Sequence, residues 1–587
     1  MAPTKKPRTA RLTTPKLLFP DSPAAVTKAT DAELARARKI LDSILKAKGP
    51  RTVRNTLVPF NEISLAISEV GLQGQLLFNA HTDAAVRDAA NKAYLAADSF
   101  QTELSLNRGL FEAFAGLKVS KEDEETRYAI SKILRDFRRA GVDKDEATRA
   151  KIKALNDEIA EIGSAFDRTI NEDVRSITLE NEAELAGLPA DYIAAHKSKD
   201  GGPITITTAY PDALPVFQYA AIADVRRRLQ REFFDRGYPK NLQVLAKLLA
   251  KRDELARLLG YEHYAAYVTE DKMIRSAKAA AKFVEKILRA SEGRTERDYQ
   301  ILVERKRKDA PSATGLDPWD PNYYLERVRA EQYRFDSQEV RPYLEFEKVR
   351  EGIFEITSTL FGVRYRRVRN AKAWHESVEV YDVYEGRTRL GRFCLDLHPR
   401  GGKFSHAAMF PIVVGLRGIQ LPQAALLCNF PDPRKAAGPA LMEHTDVVTF
   451  FHEFGHLLHA ILSGHSRWIR TSMEGIEWDF VEAPSQMLEE WVRRPEGLQR
   501  FAKHHKTGEP IPKELIGRME RAQAVGRGLW VQRQDYFAAL SLAYYSRDPS
   551  GLDTTALAKE LNAKYYPVPW YDGTHFQCSF GHLNGYS

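Results

Sequence analysis

The chain has 587 residues, more than one hydrophobic core normally serves, so at least two domains or subdomains are expected. Hydrophobic residues make up 43% and charged residues 28%, fractions of a soluble globular protein that exclude a disordered chain, and the longest apolar runs, such as 407–416, are far too short to span a bilayer. The formal net charge is +8, but Lys5, Lys6, Arg8, Arg11 and Lys16 all precede the first acid, Asp21, so the rest is nearly balanced and neither nucleic acid nor membrane is an expected partner.

Residues 1–25 read as a basic, disordered leader. Pro3, Pro7, Pro15 and Pro20 interrupt it, and it lacks the apolar stretch of a secretory signal. The three cysteines, Cys394, Cys428 and Cys578, are odd in number and widely spaced, which argues against a disulfide framework and for a cytoplasmic setting. No Cys-x-x-Cys pair offers a thiolate zinc site. Residues 26–205 read as a helical region. Thr30 to Lys48 has the pattern of a capped amphipathic helix, and Ile152, Leu155, Ile159, Ile162, Phe166 and Ile170 form one apolar stripe at steps of three and four. A Pro- and Gly-marked stretch over 201–215, with a short strand from Ile204, sets a boundary near residue 205.

Residues 206–587 begin with more helices and change texture after Arg366. Strands are expected over 378–384, 388–397, 406–414 and 424–430, with turn chemistry at Arg400-Gly-Gly-Lys403. They predict a small, mostly antiparallel sheet just ahead of helices that resume at Thr445.

The first of those helices carries His452-Glu-Phe-Gly-His456. His-Glu-x-x-His is short, and with 15 histidines a chance match arises roughly once in 40 such chains. The flanking Val447, Val448, Phe450, Phe451, Phe454, Leu457, Leu458 and Ile461 supply the helical, buried context that makes it chemically meaningful. Residues i and i+4 lie about 40° apart and about 6 Å along a helix, so His452 and His456 can face one ion. Zinc accepts neutral imidazole nitrogen. Glu453 projects beside the pair, within reach of a water.

A catalytic zinc needs a third protein ligand. The pattern with a histidine six residues after the second is absent, because Leu462 stands there, and His459 reads as core or as a support behind the ligands. A following acid is the other solution, and Glu474, Glu477, Asp479 and Glu482 are the nearest. Glu482 opens a segment with apolar Phe480, Val481, Met487 and Leu488. Spacing alone leaves it divided between ligand and a capping box with Asp479.

Phe450-Phe-His-Glu-Phe-Gly-His-Leu-Leu-His459, followed by Asp479-Phe-Val-Glu-Ala-Pro-Ser-Gln-Met-Leu-Glu489, resembles the thimet oligopeptidase family. Asp396-Leu-His-Pro-Arg-Gly-Gly-Lys403 with His406-Ala-Ala, Cys428-Asn-Phe-Pro431, Tyr566-Pro-Val-Pro569 and Ser579-Phe-Gly-His-Leu583 are also similar to family stretches. The resemblance implies a mostly α, two-domain, neurolysin-like peptidase with a deep channel and a small antiparallel sheet near the active site. It implies a monomeric zinc oligopeptidase acting on short peptides, with one Zn2+ per chain held by His452, His456 and Glu482. Glu453 is then the general base, and His582 and Tyr586 are donors to the oxyanion. An edge strand of the sheet is expected to pair with the substrate backbone, while His406 and Arg400 read as strand and turn surface.

The chain stops at Ser587, one residue after Tyr586, within a glycine-rich loop that family members continue. That end reads as a C-terminal truncation of the catalytic region. It sets a second expectation beside the first: a catalytically impaired, peptide-binding relic.

Overall fold

The structure is a computed structural model that describes residues 22–197, 202–435 and 438–585. Most of the leader expected over 1–25 lies outside the described residues. Its last residues do not continue a leader, because Ser22 caps a helix over Pro23–Lys46, accepting from Ala25 N, and Pro23 fills the first turn. The expected start at Thr30 is therefore a full two turns late. Thr30 lies inside that helix, with its hydroxyl donating to the Val26 carbonyl at 2.9 Å.

The chain divides into two compact units that are not contiguous in sequence. The first comprises Met1–Glu161, Arg350–Lys435 and Val448–Glu490; the second comprises Ile162–Val349, Ala436–Val447 and Trp491–Ser587. The boundary expected near residue 205 falls inside the second unit. A Pro/Gly stretch marks a turn, but which segments share a core depends on contacts hundreds of residues apart.

In the first unit, helices Pro23–Lys46, Leu57–Ala80 and Ala84–Ser105 pack on one another, and Leu57–Ala80 lies against a five-stranded sheet. A two-stranded antiparallel pair in the second unit is formed by β1 (Ser176–Leu179) and β2 (Ile204–Thr207), the strand read from Ile204. The larger sheet contains β3 (Val363–Arg367), β4 (Glu379–Glu385), β5 (Thr388–Asp396), β6 (Ala408–Val413) and β7 (Gln423–Leu427), in the order β3-β4-β5-β7-β6. All pairs are antiparallel except β5 with β7. β6 is an edge strand, and Pro411 is tolerated there because an edge needs fewer ladder donors.

Side-chain alternation gives the sheet two dry faces. Val380, Cys394, Ile412 and Leu427 join the apolar core of the N-terminal helices. From the opposite face, Phe393 stacks on Tyr381 and meets Phe454 of the helix His444–Ser463, with the Phe393 and Phe454 rings 5.7 Å apart. Phe454 is fully buried. The residue between the motif's acid and its glycine thus fixes how the histidine helix lies on the sheet. The helix ends at Gly464 as expected, where a Cβ would lie 2.5 Å from Pro422.

The Asp396–Lys403 segment has a structural role. Asp396 is completely buried and accepts from Trp374 Nε1 (2.7 Å), from both terminal nitrogens of Arg400 (2.5 and 2.7 Å) and from Lys403 Nζ (3.0 Å). Lys403 Nζ also donates to the carbonyls of Asp396, His398 and Cys428. Burial would raise the Asp396 carboxyl, but Arg400 and Lys403 outweigh it and hold it low. These bonds lock the end of β5 to β7, and Arg400 reaches the Ala80 carbonyl to tie in a helix end. Arg400 is therefore not turn surface. Asp396→Ala would leave two buried cations without their carboxylate. The expected loss is about 3–5 kcal/mol of stability, measured by chemical denaturation of the full chain.

The second unit is built largely from helices. Among them, Ala277–Asp309 packs along Arg527–Tyr545. Phe166, from the apolar stripe, is fully buried in a core with Leu540 and Leu583. Among the described residues no helix is long and apolar enough to cross a membrane.

Candidate metal centre

The histidine helix points His452 and His456 the same way, as i and i+4 spacing requires, with ring centroids 5.0 Å apart and planes at 81°. What completes the cluster is a second element. After a short turn over Trp478–Phe480, a helix runs Ala483–Glu489, and Glu482 stands at its N-terminus. Glu482 Oε2 lies 3.1 Å from His452 Nε2 and 3.1 Å from His456 Nε2. Among the described residues this is the one group of three or more His, Cys, Asp or Glu side chains whose ligand atoms all lie within 4.8 Å of one another.

The capping-box alternative does not form. Glu482 occupies the cap position but makes no side-chain cap bond. Its carboxylate instead meets the two histidines and accepts from Ser485 Oγ at 3.0 Å. The other candidate acids are engaged elsewhere or outside the cluster, Glu477 pairing with Lys132 at 3.3 Å. His459 lies outside the cluster too; its ring is half-buried, and burial lowers its proton affinity.

Sequence reasoning missed two contributors. One is Glu489, whose Oε1 lies 2.8 Å from His452 Nδ1. It fixes the ring and its tautomer, leaving Nε2 for the shared centre. Glu482 and Glu489 are seven residues apart, two helical turns, which places them on one face; that spacing was readable. Glu489→Ala should weaken zinc binding by about 10–100-fold, measured by competition with a zinc-sensitive dye. The other is Gly455. A Cβ there would lie 2.7 Å from Ser485 Cα and 3.0 Å from the Pro484 carbonyl. Its bare backbone lets the helix carrying Glu482 approach the histidine helix.

Electrostatically the cluster attracts a cation. Burial alone would lower the proton affinity of His452, yet its bonds to Glu482 and Glu489 push it up to about 10. Burial likewise opposes charge on Glu482, but the two histidines hold it well below the ordinary carboxylate range. Two imidazoles and a carboxylate converging on one point are a donor set suited to zinc, and the Glu489 carboxylate on His452 Nδ1 fits it as well. Glu453 is 8% exposed and sits between the histidines in sequence, with the backbone N–H of Met409 on β6 as a hydrogen-bond partner. Burial raises its pKa above the ordinary value, against the pull of His452 and His456.

Neither His406 nor His582 is one of the three side chains of this cluster. His406 is exposed beside the Phe404 ring, on a bend ahead of β6, which starts at Ala408 and not at 406, so it is surface but not strand. His582 belongs to the second unit, where it is exposed on the short turn His582–Gly585, 5.2 Å from the Phe580 ring. Tyr586 lies outside the described residues. Of the apolar residues around Glu482, Phe480 and Met487 are on the surface. They are 44% and 60% exposed, and Trp478 is 55% exposed.

The fold is mostly helical with a small sheet, and it brings His-Glu-x-x-His and a downstream glutamate together as a group that could hold a metal ion. Residues 216–587 match peptidase family M3, and the chain belongs to that family. It is 29% identical to a thimet-like oligopeptidase of Dictyostelium discoideum, covering 97% of this chain and 88% of that protein. It is 30% identical to saccharolysin of Saccharomyces cerevisiae, over 89% of this chain and 77% of that one. The fold is also that of PZ peptidase A, with a TM-score of 0.57 at 13% identity, over 94% of this chain and 83% of that chain.

Proposed function

We propose that this protein is a zinc-dependent oligopeptidase that hydrolyses internal bonds of short peptides, with one zinc per chain. The observation that carries the reading is the position of Glu482 Oε2, 3.1 Å from the Nε2 atoms of both His452 and His456. Those three side chains would hold the ion. When bound, zinc supplies a Lewis acid that polarises a carbonyl and lowers the pKa of water.

The chain's own residues do the rest. Glu489 orients His452. Glu453 takes the proton of the attacking water and returns it to the leaving amine, as a buried carboxylate beside the ligands is placed to do. As the edge strand of its sheet, β6 is where an extended peptide would add by main-chain hydrogen bonds, which favours short, unstructured substrates over one sequence. Exposed Trp478, Phe480 and Met487, within ten residues that include Glu482, offer apolar surface to substrate side chains. On the family resemblance alone, His582 and Tyr586 serve as donors to the developing oxyanion. A cytoplasmic setting goes with this reading, since Cys394, Cys428 and Cys578 are all buried free thiols.

The deciding experiment is cleavage of a quenched fluorescent peptide of moderate length by the 587-residue chain, with zinc content measured in parallel. Turnover should vanish with a chelator and return with zinc. Chelator-insensitive turnover, or the lack of stoichiometric zinc, would overturn the assignment. Zinc bound without turnover would instead mark the impaired relic.

A further inference from the structure

The five-stranded sheet has two edges, β6 at one side and β3 at the other. Over 363–369 the chain reads Val-Arg-Tyr-Arg-Arg-Val-Arg, four arginines in seven residues with no acid among them. Charge on an edge strand guards it against unwanted pairing. Guarding alone, however, makes no use of where these charges stand.

The main chain of β3 is open on its outer side. The Val368 N–H donates to the Val380 carbonyl at 2.8 Å. Antiparallel bonding alternates, so Arg366 and Arg364 also bond inward, opposite Asp382 and Tyr384. Tyr365 and Arg367 therefore turn their N–H and C=O groups outward. Among the described residues nothing bonds to their main chain from that side.

The side chains sort by face. Tyr365 lies against Phe354, with ring centroids 4.8 Å apart, and Arg367 pairs with Glu379 at 2.8 Å. Arg364 and Arg366 stand on the other face, and both are exposed. Arg364 donates to the Gly386 carbonyl, but neither arginine forms an ion pair with a described residue. The register sets Asp382 beside Arg366, yet that carboxylate already accepts from Arg392 at 2.8 Å and Arg389 at 3.5 Å. Two guanidiniums about 7 Å apart along one strand face thus lack a carboxylate, beside an open row of main-chain donors and acceptors. The helix Phe346–Phe361 ends in Leu360 and Phe361, 38% and 37% exposed, one glycine ahead of β3. Apolar surface therefore accompanies the start of the strand.

We propose that the outer edge of β3 takes an extended, acidic segment of a partner polypeptide as a sixth strand. Its main chain bonds Tyr365 and Arg367. Its alternate carboxylates meet Arg364 and Arg366, since directly opposed residues of neighbouring strands stand about 5 Å apart. The residues between them are apolar and face the Tyr365 side. This edge uses no residue of the metal centre, and its role does not depend on the proposed activity.

The test is fluorescence anisotropy of the full chain with a labelled peptide of alternating glutamate and valine. It is run after chelation, so that the peptide is neither cleaved nor held by a metal. A lysine–valine peptide and a single-stranded oligonucleotide are the comparisons. The glutamate–valine peptide should bind saturably, the lysine–valine peptide should not, and added salt should weaken binding. Only every second peptide N–H can face β3. Methylating one alternate set of backbone nitrogens should therefore abolish binding, and methylating the other set should not. Arg364→Glu combined with Arg366→Glu should weaken the peptide at least about tenfold with an unchanged thermal unfolding midpoint. Arg364→Lys combined with Arg366→Lys should retain most of the affinity. No saturable binding, indifference to both methylation patterns, or full affinity in the Glu double variant would overturn the proposal. Tighter, arginine-dependent binding of the oligonucleotide would overturn it in favour of a nucleic-acid surface. Self-association of the Glu double variant, with no peptide bound by the wild type, would show that the arginines only guard the edge.

Discussion

On the proposed zinc assignment, Gly455→Ala should abolish zinc binding while leaving the protein folded. The added methyl would lie 2.7 Å from Ser485 Cα, a backbone atom that cannot swing aside. The helix carrying Glu482 must then move off the histidine helix, and Glu482 Oε2 leaves its place 3.1 Å from both imidazoles. Overpacking of this kind costs about 1–3 kcal/mol, tolerable for a folded unit of this size. Displacing a ligand is less forgiving, so zinc affinity should fall by about 100-fold or more, beyond the 10–100-fold typical of losing an outer-shell partner. Equilibrium dialysis against zinc, with circular dichroism as the folding control, measures both. Full zinc occupancy at wild-type affinity would show that the two helices can be spaced further apart than the structure has them. Ser485→Ala is the companion variant. It removes the hydroxyl donated to Glu482 without adding bulk and should weaken zinc much less.

Glu453→Gln should give the complementary result: zinc retained, peptide turnover reduced by about 10²–10⁴-fold. The amide is nearly isosteric, so the 8%-exposed site stays filled and the Met409 N–H keeps an acceptor. What it loses is the ability to take a proton. The loss should fall on kcat, with KM little changed, because substrate binding does not need that proton. Normal turnover by a zinc-loaded Glu453→Gln protein would remove Glu453 from the general-base role. Taken together, the two variants separate holding the metal from moving the proton, the two tasks that the proposed function divides between neighbouring residues of one helical turn.

Much of this centre was legible in the chain because it is local. An i, i+4 pair on a helix is a statement about a single turn, and the apolar residues around it announce that the helix is buried. Four of the five strands of the larger sheet were legible ahead of it for the same reason, since a strand pattern needs no knowledge of what lies across the sheet, whereas β3 was not read. The helix start at Ser22 was also local information, a serine followed by proline, and was overlooked in favour of Thr30.

Other features had no local signature. The choice between Glu482 as cap and Glu482 as ligand could not be made from spacing, because both uses put a glutamate in the first turn of a helix. It is made by Gly455, 27 residues earlier, whose missing side chain sets the separation of the two helices. Arg400 read as an exposed turn residue because Arg-Gly-Gly-Lys has turn chemistry. Only the packed sheet puts Asp396, Trp374 and the Ala80 carbonyl around it.

By itself, then, the sequence determined the elements and the identity of the metal-type motif, which depend on interactions within a few residues. Tertiary structure alone decided which acid closes the centre, which carboxylate orients His452, and that the N-terminal helices share a core with a sheet more than 200 residues away. The physical reason is that burial and hydrogen-bond pairing are settled by whichever groups arrive from elsewhere in the chain.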